Sequence, residues 1–458
     1  MGASSRRFLP ARPRGPRWLL AAAWLSFVLS PACSFAGPCR GRVTDALSGH
    51  PISGAIVTIG STVVRTDGSG VFQISGSGDT VGVRADGYLR TEIPASTCAS
   101  GEQVVKLTPF RPKALYLSFY AIGTPSLRHK ALQLIHETEL NALVIDVKGD
   151  RGMIGYHSAI PLAREDGAQK IITIPNLKAR VAKLHQQGLY LIARIVTFKD
   201  NQLASARPDL AVKTDQGKVW RDTENMAWTD PFKRVVRDYN IDIAVEAAQA
   251  GFDEIQFDYV RFPDNKGVVF SQPDNEDARV NTVAEFLREA RKRLAPYNVF
   301  LSADIFGYVC WNQNDTGIGQ KLESVVKNVD YVSPMLYPST FRYGIPGYRN
   351  PVANPFEIIR LTLDRARERT GIDPIRFRPW IQAFRDYAFD RRQFGAGQIR
   401  DQIRAAEGFG SDGWMMWNPR NIYTTAGLTL RQPRQEAKAE TQPVARLSPP
   451  SRVRLISK

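Results

Sequence analysis

Histidine and cysteine are scarce, five and four in 458 residues. The histidines (His50, His129, His136, His157 and His185) are scattered, and only His157 follows a strand-like run, so no centre of converging metal ligands is expected. Cys33, Cys39, Cys98 and Cys310 match no zinc spacing. No Gly-x-Ser-x-Gly elbow, phosphate loop or dinucleotide fingerprint accompanies a suitable strand and helix, which excludes serine hydrolases and nucleotide enzymes and leaves no expected cofactor. Long apolar runs are missing too. The one extended stretch, Trp18 to Leu29, is too short to cross a bilayer and follows five arginines without an acid, the pattern of an export signal.

Ser34-Phe35-Ala36 supplies the small residues at which a signal is cut, so the mature chain is expected from Gly37 and the protein is expected in the periplasm or secreted, where envelope association is open to it. The rival reading, lipidation of Cys33, meets a poor lipobox in Leu-Ser-Pro-Ala. In an oxidising compartment Cys39 and Cys98 are expected to pair, leaving Cys310 free. The net charge of +16 falls to +6 once the signal and the basic tail from Arg431 are set aside, too mild to argue for nucleic acid as a partner.

What is present divides into four segments: the signal (1–36), a β-rich part (37–110), an alternating part (111–430) and a polar basic tail (431–458). In the second, short β runs such as Ala55-Ile-Val-Thr-Ile and Gly70-Val-Phe-Gln-Ile are separated by turns such as Thr66-Asp-Gly-Ser-Gly, predicting a small sandwich. Gly41-Arg-Val-Thr-Asp, Pro51-Ile-Ser-Gly-Ala, the Thr66 turn and Ala85-Asp-Gly-Tyr together resemble the carboxypeptidase regulatory-like sandwich family, whose modules are accessory; a spacer or adhesion role is implied.

After Pro112 apolar runs alternate with amphipathic windows, so the predicted fold class is α/β, a (β/α)8 barrel. Strands are expected near Ala114, Ala142, Tyr190, Phe252, Val299, Tyr331, Phe377 and Trp414, with helical windows between them. No amphipathic window follows Tyr423. Its place is expected to fall to a short helix or to the segment joining sandwich and barrel.

In such barrels the chemistry sits at the carboxyl ends of the strands. Period-two alternation there puts Asp146 and Lys148 on one face of strand two, Arg194 on strand three, Gln256 and Asp258 on strand four, and Ser302 and Asp304 on strand five. Tyr337, Gln382 and Asn418 come from the last three strands. Two aspartates ending neighbouring strands, roughly 5 to 7 Å apart, suit two-carboxylate cleavage of a glycosidic bond. The competing reading makes both structural, paired with Arg194, Lys148 or Arg261. Six of the eight tryptophans (Trp220, Trp228, Trp311, Trp380, Trp414 and Trp417) lie in the barrel segment, and indole faces suit sugar rings. Trp414 and Trp417 face opposite sides of their strand, so at most one reaches the cleft.

Gly251-Phe-Asp-Glu-Ile-Gln-Phe-Asp-Tyr-Val-Arg-Phe-Pro, Ser302-Ala-Asp-Ile-Phe-Gly, Tyr331-Val-Ser-Pro-Met-Leu-Tyr-Pro and Gly413-Trp-Met-Met-Trp-Asn together resemble a bacterial family of glycoside hydrolases with a barrel fold, over about Lys113 to Tyr423. The resemblance implies the barrel fold and glycoside hydrolysis as the reaction class; a polysaccharide is the expected substrate. By position it also implies Asp258 as nucleophile and Asp304 as acid, as in α-amylase-type barrels, although Gln256 stands where those carry Arg and Asp304 where they carry Glu. Asp146, Lys148, Arg194, Gln256, Tyr337, Gln382, Trp417 and Asn418 are the expected substrate-binding set. Strand four is also similar to the chitinase signature, but Gln256 and Val260 replace two of its acids, against substrate-assisted chitin hydrolysis. A non-catalytic polysaccharide-binding envelope protein remains the alternative from another class.

Overall fold

The computed structural model describes residues 38–264 and 267–432. The expected signal, the Gly37 start, Cys33 and nearly all of the basic tail lie outside them. The sandwich pairs Pro38–Asp45 with Val71–Ser75 (antiparallel) and with Gln103–Leu107 (parallel). The facing sheet runs Thr62–Arg65, Ile56–Ile59, Thr80–Arg84, Thr91–Pro94, all antiparallel. The two edge strands of that sheet, Thr62–Arg65 and Thr91–Pro94, were not anticipated: neither buries a face, so neither carries the alternation that marks a strand. Asp67 tightens the Thr66 turn by accepting the N–H groups of Ser69 and Val71. Cys39 and Cys98 form a disulfide, and Cys310 is free and buried.

Eight parallel strands close a barrel in chain order: Lys113–Leu117, Ala142–Lys148, Tyr190–Val196, Glu254–Asp258, Phe300–Phe306, Tyr331–Met335, Trp380–Gln382 and Trp414–Trp417. Every strand but the short last rungs is buried on both faces, so polar residues within the runs mark the lumen and not solvent. Long helices cover the outside, among them Pro125–Glu137, Arg234–Ala250, Glu276–Leu294, Pro355–Thr370 and Ala396–Phe409. After the eighth strand no helix follows among the described residues. The outgoing chain instead runs extended beside the end of helix Pro125–Glu137, where the Thr429 carbonyl accepts the Glu139 N–H and the Arg431 N–H bonds the Glu137 carbonyl. Neither expected substitute for the eighth helix is therefore the one used.

The sandwich seals the amino end of the barrel. Arg90 donates to Asp253 and to the carbonyls of Gly251 and Phe252, Asn298 donates to the Thr91 carbonyl, and the Tyr331 hydroxyl accepts the Gly87 N–H. Leu89 and Phe110 pack onto the lumen cluster, with Phe110 stacked 5.6 Å from Tyr190. Above them Arg378, fully buried, is shared between Glu254 and Asp412, a charge network internal to the base.

Candidate active site

Strand three places Arg194 opposite Asp146 on one side and Gln256 on the other. Its guanidinium organises the upper lumen. Nη1 donates to Asp146 Oδ1 at 2.6 Å; Nε and Nη2 both donate to Asp258 Oδ2, at 3.0 and 2.5 Å. Nε also lies 4.0 Å from Asp304 Oδ2. Asp258 and Asp304 thus converge on one nitrogen, and their Oδ2 atoms are no further apart than those two distances combined. The register explains the convergence: Gln256 pairs with Ser302 and Phe257 with Ala303, so the next residues on both strands, Asp258 and Asp304, leave the ladder side by side on the lumen face.

The two carboxyls are held differently. Every hydrogen bond to the Asp258 carboxyl comes from a donor: two Arg194 N–H groups on Oδ2 and the Tyr259 N–H on Oδ1 at 2.5 Å. Tyr259 is held at φ +48°, a conformation a tyrosine seldom adopts, and this strain sits immediately after the aspartate it caps. Asp304 receives the Trp380 Nε1–H on Oδ1 at 2.8 Å, while its Oδ2 is buried and has no hydrogen-bond partner among the described residues. Burial, then the neighbouring Asp258 charge, push the Asp304 carboxyl well above the usual carboxylate range, outweighing Arg194. Burial likewise raises Asp146 to about 6 although Arg194 and the Tyr116 hydroxyl, 2.5 Å from its Oδ2, favour its charged form.

An aromatic wall closes around the guanidinium. Trp417 stacks on Tyr116 at 4.0 Å and stands edge-on to Trp380, and Arg194 lies 4.9 Å from the Trp417 ring and 5.4 Å from Tyr116. Tyr337 is buried in the same cluster, its phenol driven upward by burial and by the charges of Asp304 and Asp258. Of the expected residues, Asp146, Arg194, Asp258, Asp304, Tyr337 and Trp417 are therefore brought together.

Four are not. Lys148 was expected beside Asp146, but a bulge shifts the register of strand two, so that Arg194 faces Asp146 and Ile195 faces Lys148. Lys148 consequently turns out of the lumen, where its ammonium meets Asp200 at 2.7 Å, Asn240 Oδ1 and the Thr197 carbonyl, wholly buried. Gln256 lies a layer below the aspartates, fully buried, reaching Ser333. Gln382 spends its amide on Ser339 and the Phe384 carbonyl, and Asn418 on the carbonyls of Ala383 and Ile422. These last two tie loops together and do not present free donors to a ligand. Trp414 faces the helical shell and Trp417 the lumen. Tyr116 and Trp380, which the structure puts at the centre, were missed as site residues; the alternation of Ala114, Tyr116 and Ser118 was the available signal for the first.

A protein family described as "Putative glycosyl hydrolase domain" matches residues 114–423, which contain all of these side chains. Among solved structures, a hypothetical protein from Ruminiclostridium thermocellum is 42% identical, covering 42% of this chain and 96% of its own, with a TM-score of 0.37. The glycoside hydrolase domain of PgaB (BpsB) from Bordetella bronchiseptica is 15% identical over 69% of this chain and 95% of its own, with a TM-score of 0.50, a likeness of fold. Catalytic domain 2 of a Group II chitinase from Ostrinia furnacalis is 12% identical over 67% and 90%, with a TM-score of 0.41. No curated protein matches.

Proposed function

The chain belongs to the glycosyl hydrolase domain family matched over residues 114–423, and from that premise we propose that it is an exported enzyme that cleaves a polysaccharide. Asp304 acts as general acid and then base, and Asp258 acts as nucleophile or as the charge that stabilises an oxocarbenium-like transition state. The observation that carries this reading is the unequal pair on one guanidinium: Asp258 gripped by three donors beside Asp304, whose buried Oδ2 has no hydrogen-bond partner among the described residues. Two-carboxylate hydrolysis needs that division of roles. Asp146 and Arg194 set the charge balance, and Tyr337 and Trp417 supply faces and a hydroxyl for the sugar. Export is supported by the Cys39–Cys98 disulfide, which persists in oxidising compartments.

One observation favours the second reading, a barrel that binds polysaccharide without cutting it. Asp304 is only 1% exposed, so a glycosidic oxygen reaches it only after the surrounding aromatic side chains move. Incubating the purified protein with envelope polysaccharides and exopolysaccharides and measuring released reducing ends decides between the two. Hydrolysis that disappears in Asp304→Asn while the polymer is still bound is the expected result. A polymer retained but never cut by the wild-type protein would leave the binding role alone.

A further inference from the structure

The loops after strands six and seven carry a feature that the two aspartates do not use. From Tyr337 a row of rings leads outward: Phe384 lies 5.7 Å from Tyr337, and Tyr387 stacks nearly parallel to Phe384 at 6.2 Å and is 42% exposed. Arg342 is near enough to bear electrostatically on the Tyr387 hydroxyl. The acids of these loops are already committed. Asp386 is buried beneath the Ser339 hydroxyl and the N–H groups of Ala388, Phe389 and Arg391, and Asp390 is gripped by Arg392. Exposed Arg342, Arg385 and Arg391 are left without a carboxylate partner among the described residues, as is Arg420, whose loop is tied to this one through Asn418. Asp386 holds Arg391 at φ +63°, so the rim is built around a buried acid and is not a loose cluster.

We propose that this rim binds a polysaccharide bearing anionic groups, carboxylates or sulfate esters, whose sugars run from Asp304 along Tyr337, Phe384 and Tyr387 while its charges meet Arg342, Arg385, Arg391 and Arg420. Guanidinium forks match both anions, and stacked phenyl and phenol faces match sugar C–H faces. Exposed guanidiniums without a carboxylate partner are open to an incoming anion. The inference rests on the hydrolase reading for placing the sugars at Asp304, and its test is a binding measurement that needs no turnover.

The probes are end-labelled oligogalacturonate, a chondroitin sulfate oligosaccharide, a neutral cello-oligosaccharide and a single-stranded oligonucleotide, titrated into the full mature chain carrying Asp304→Asn at low and high NaCl. At least one acidic saccharide is expected to bind about tenfold more tightly than the neutral one, with salt weakening it. Which acidic saccharide binds identifies the anion. Arg342→Gln with Arg385→Gln is expected to remove that preference at unchanged melting temperature, and Tyr387→Ala to weaken saccharides of either charge. Equal binding of acidic and neutral saccharides, an unaffected double variant, or equal binding of the oligonucleotide overturns the proposal. If the wild-type protein binds an acidic glycan without cutting it, the hydrolase reading fails and this one stands. If it cleaves a neutral polymer and binds no acidic glycan, the hydrolase reading stands and this one fails.

Discussion

Asp304 and Lys148 are both ionisable groups removed from water, and the structure surrounds them differently. Asp304 keeps an oxygen without a partner next to the Asp258 charge, and its raised proton affinity leaves it protonated to higher pH than an ordinary carboxyl. Hydrolysis is therefore expected to fall on the alkaline side as that proton is lost. Asp304→Asn should lower kcat on a natural glycoside by about 10²- to 10⁴-fold and flatten the alkaline limb, with a much smaller loss on an aryl glycoside whose leaving group needs no proton. Similar losses on both substrates would remove Asp304 from the acid role. Lys148 forms a buried ion pair with Asp200 on the far side of the strand. Lys148→Met should cost roughly 3–5 kcal/mol in urea unfolding, because a buried carboxylate loses its partner. The protein that remains folded should keep its kcat/KM.

At the scale of elements, the register decides which side chains meet. Strands four and five stay in step through Phe257 and Ala303, so the aspartates that follow emerge together, whereas strand two slips and sends Lys148 outward. Closure between strands eight and one depends on a backbone approach at Gly413, whose φ of +73° and close contact with Pro112 leave no room: an added Cβ would lie 1.8 Å from the Pro112 carbonyl oxygen. Gly371, at the end of helix Pro355–Thr370, has a similar φ of +67° and open space around it. Gly371→Ala should cost about 1 to 2 kcal/mol from conformation alone. Gly413→Ala should cost distinctly more, and thermal unfolding of the two variants compares them directly; equal losses would mean that the closure tolerates a side chain.

For the molecule as a whole, the sandwich is part of the barrel's construction. Arg84 brings a buried guanidinium 3.9 Å from Asp330 of the barrel, and Asp330, which also meets Arg291, is held below the usual carboxylate range by those two cations against the pull of burial. A depressed carboxyl contributes stability above its unfolded pKa and loses it as pH falls through the folded one, so the docking of the two parts is expected to hold at neutral pH and to weaken in acid below the usual carboxylate range. Limited proteolysis across 108–112 at falling pH checks this; cleavage independent of pH would contradict it. Within the sandwich the disulfide closes a loop of sequence separation 59, and Cys39→Ser with Cys98→Ser should lower stability by about 4 kcal/mol on the chain-entropy account.

Sequence alone determined the α/β barrel, the sandwich before it and the pairing of Asp258 with Asp304, because period-two alternation and amphipathic spacing are local patterns that a single chain displays. It also placed Arg194 and Asp146 on the right face. Tertiary structure alone decided the rest. A bulge is invisible in alternation, so Lys148 was assigned to the lumen; the partners that occupy Gln382 and Asn418 come from loops distant in sequence; and Tyr116 and Trp380 look like any core aromatic until the closed barrel sets them beside a carboxyl. Whether a polar side chain is free to act depends on which neighbours have already taken its hydrogen bonds, and those neighbours are assembled only by folding.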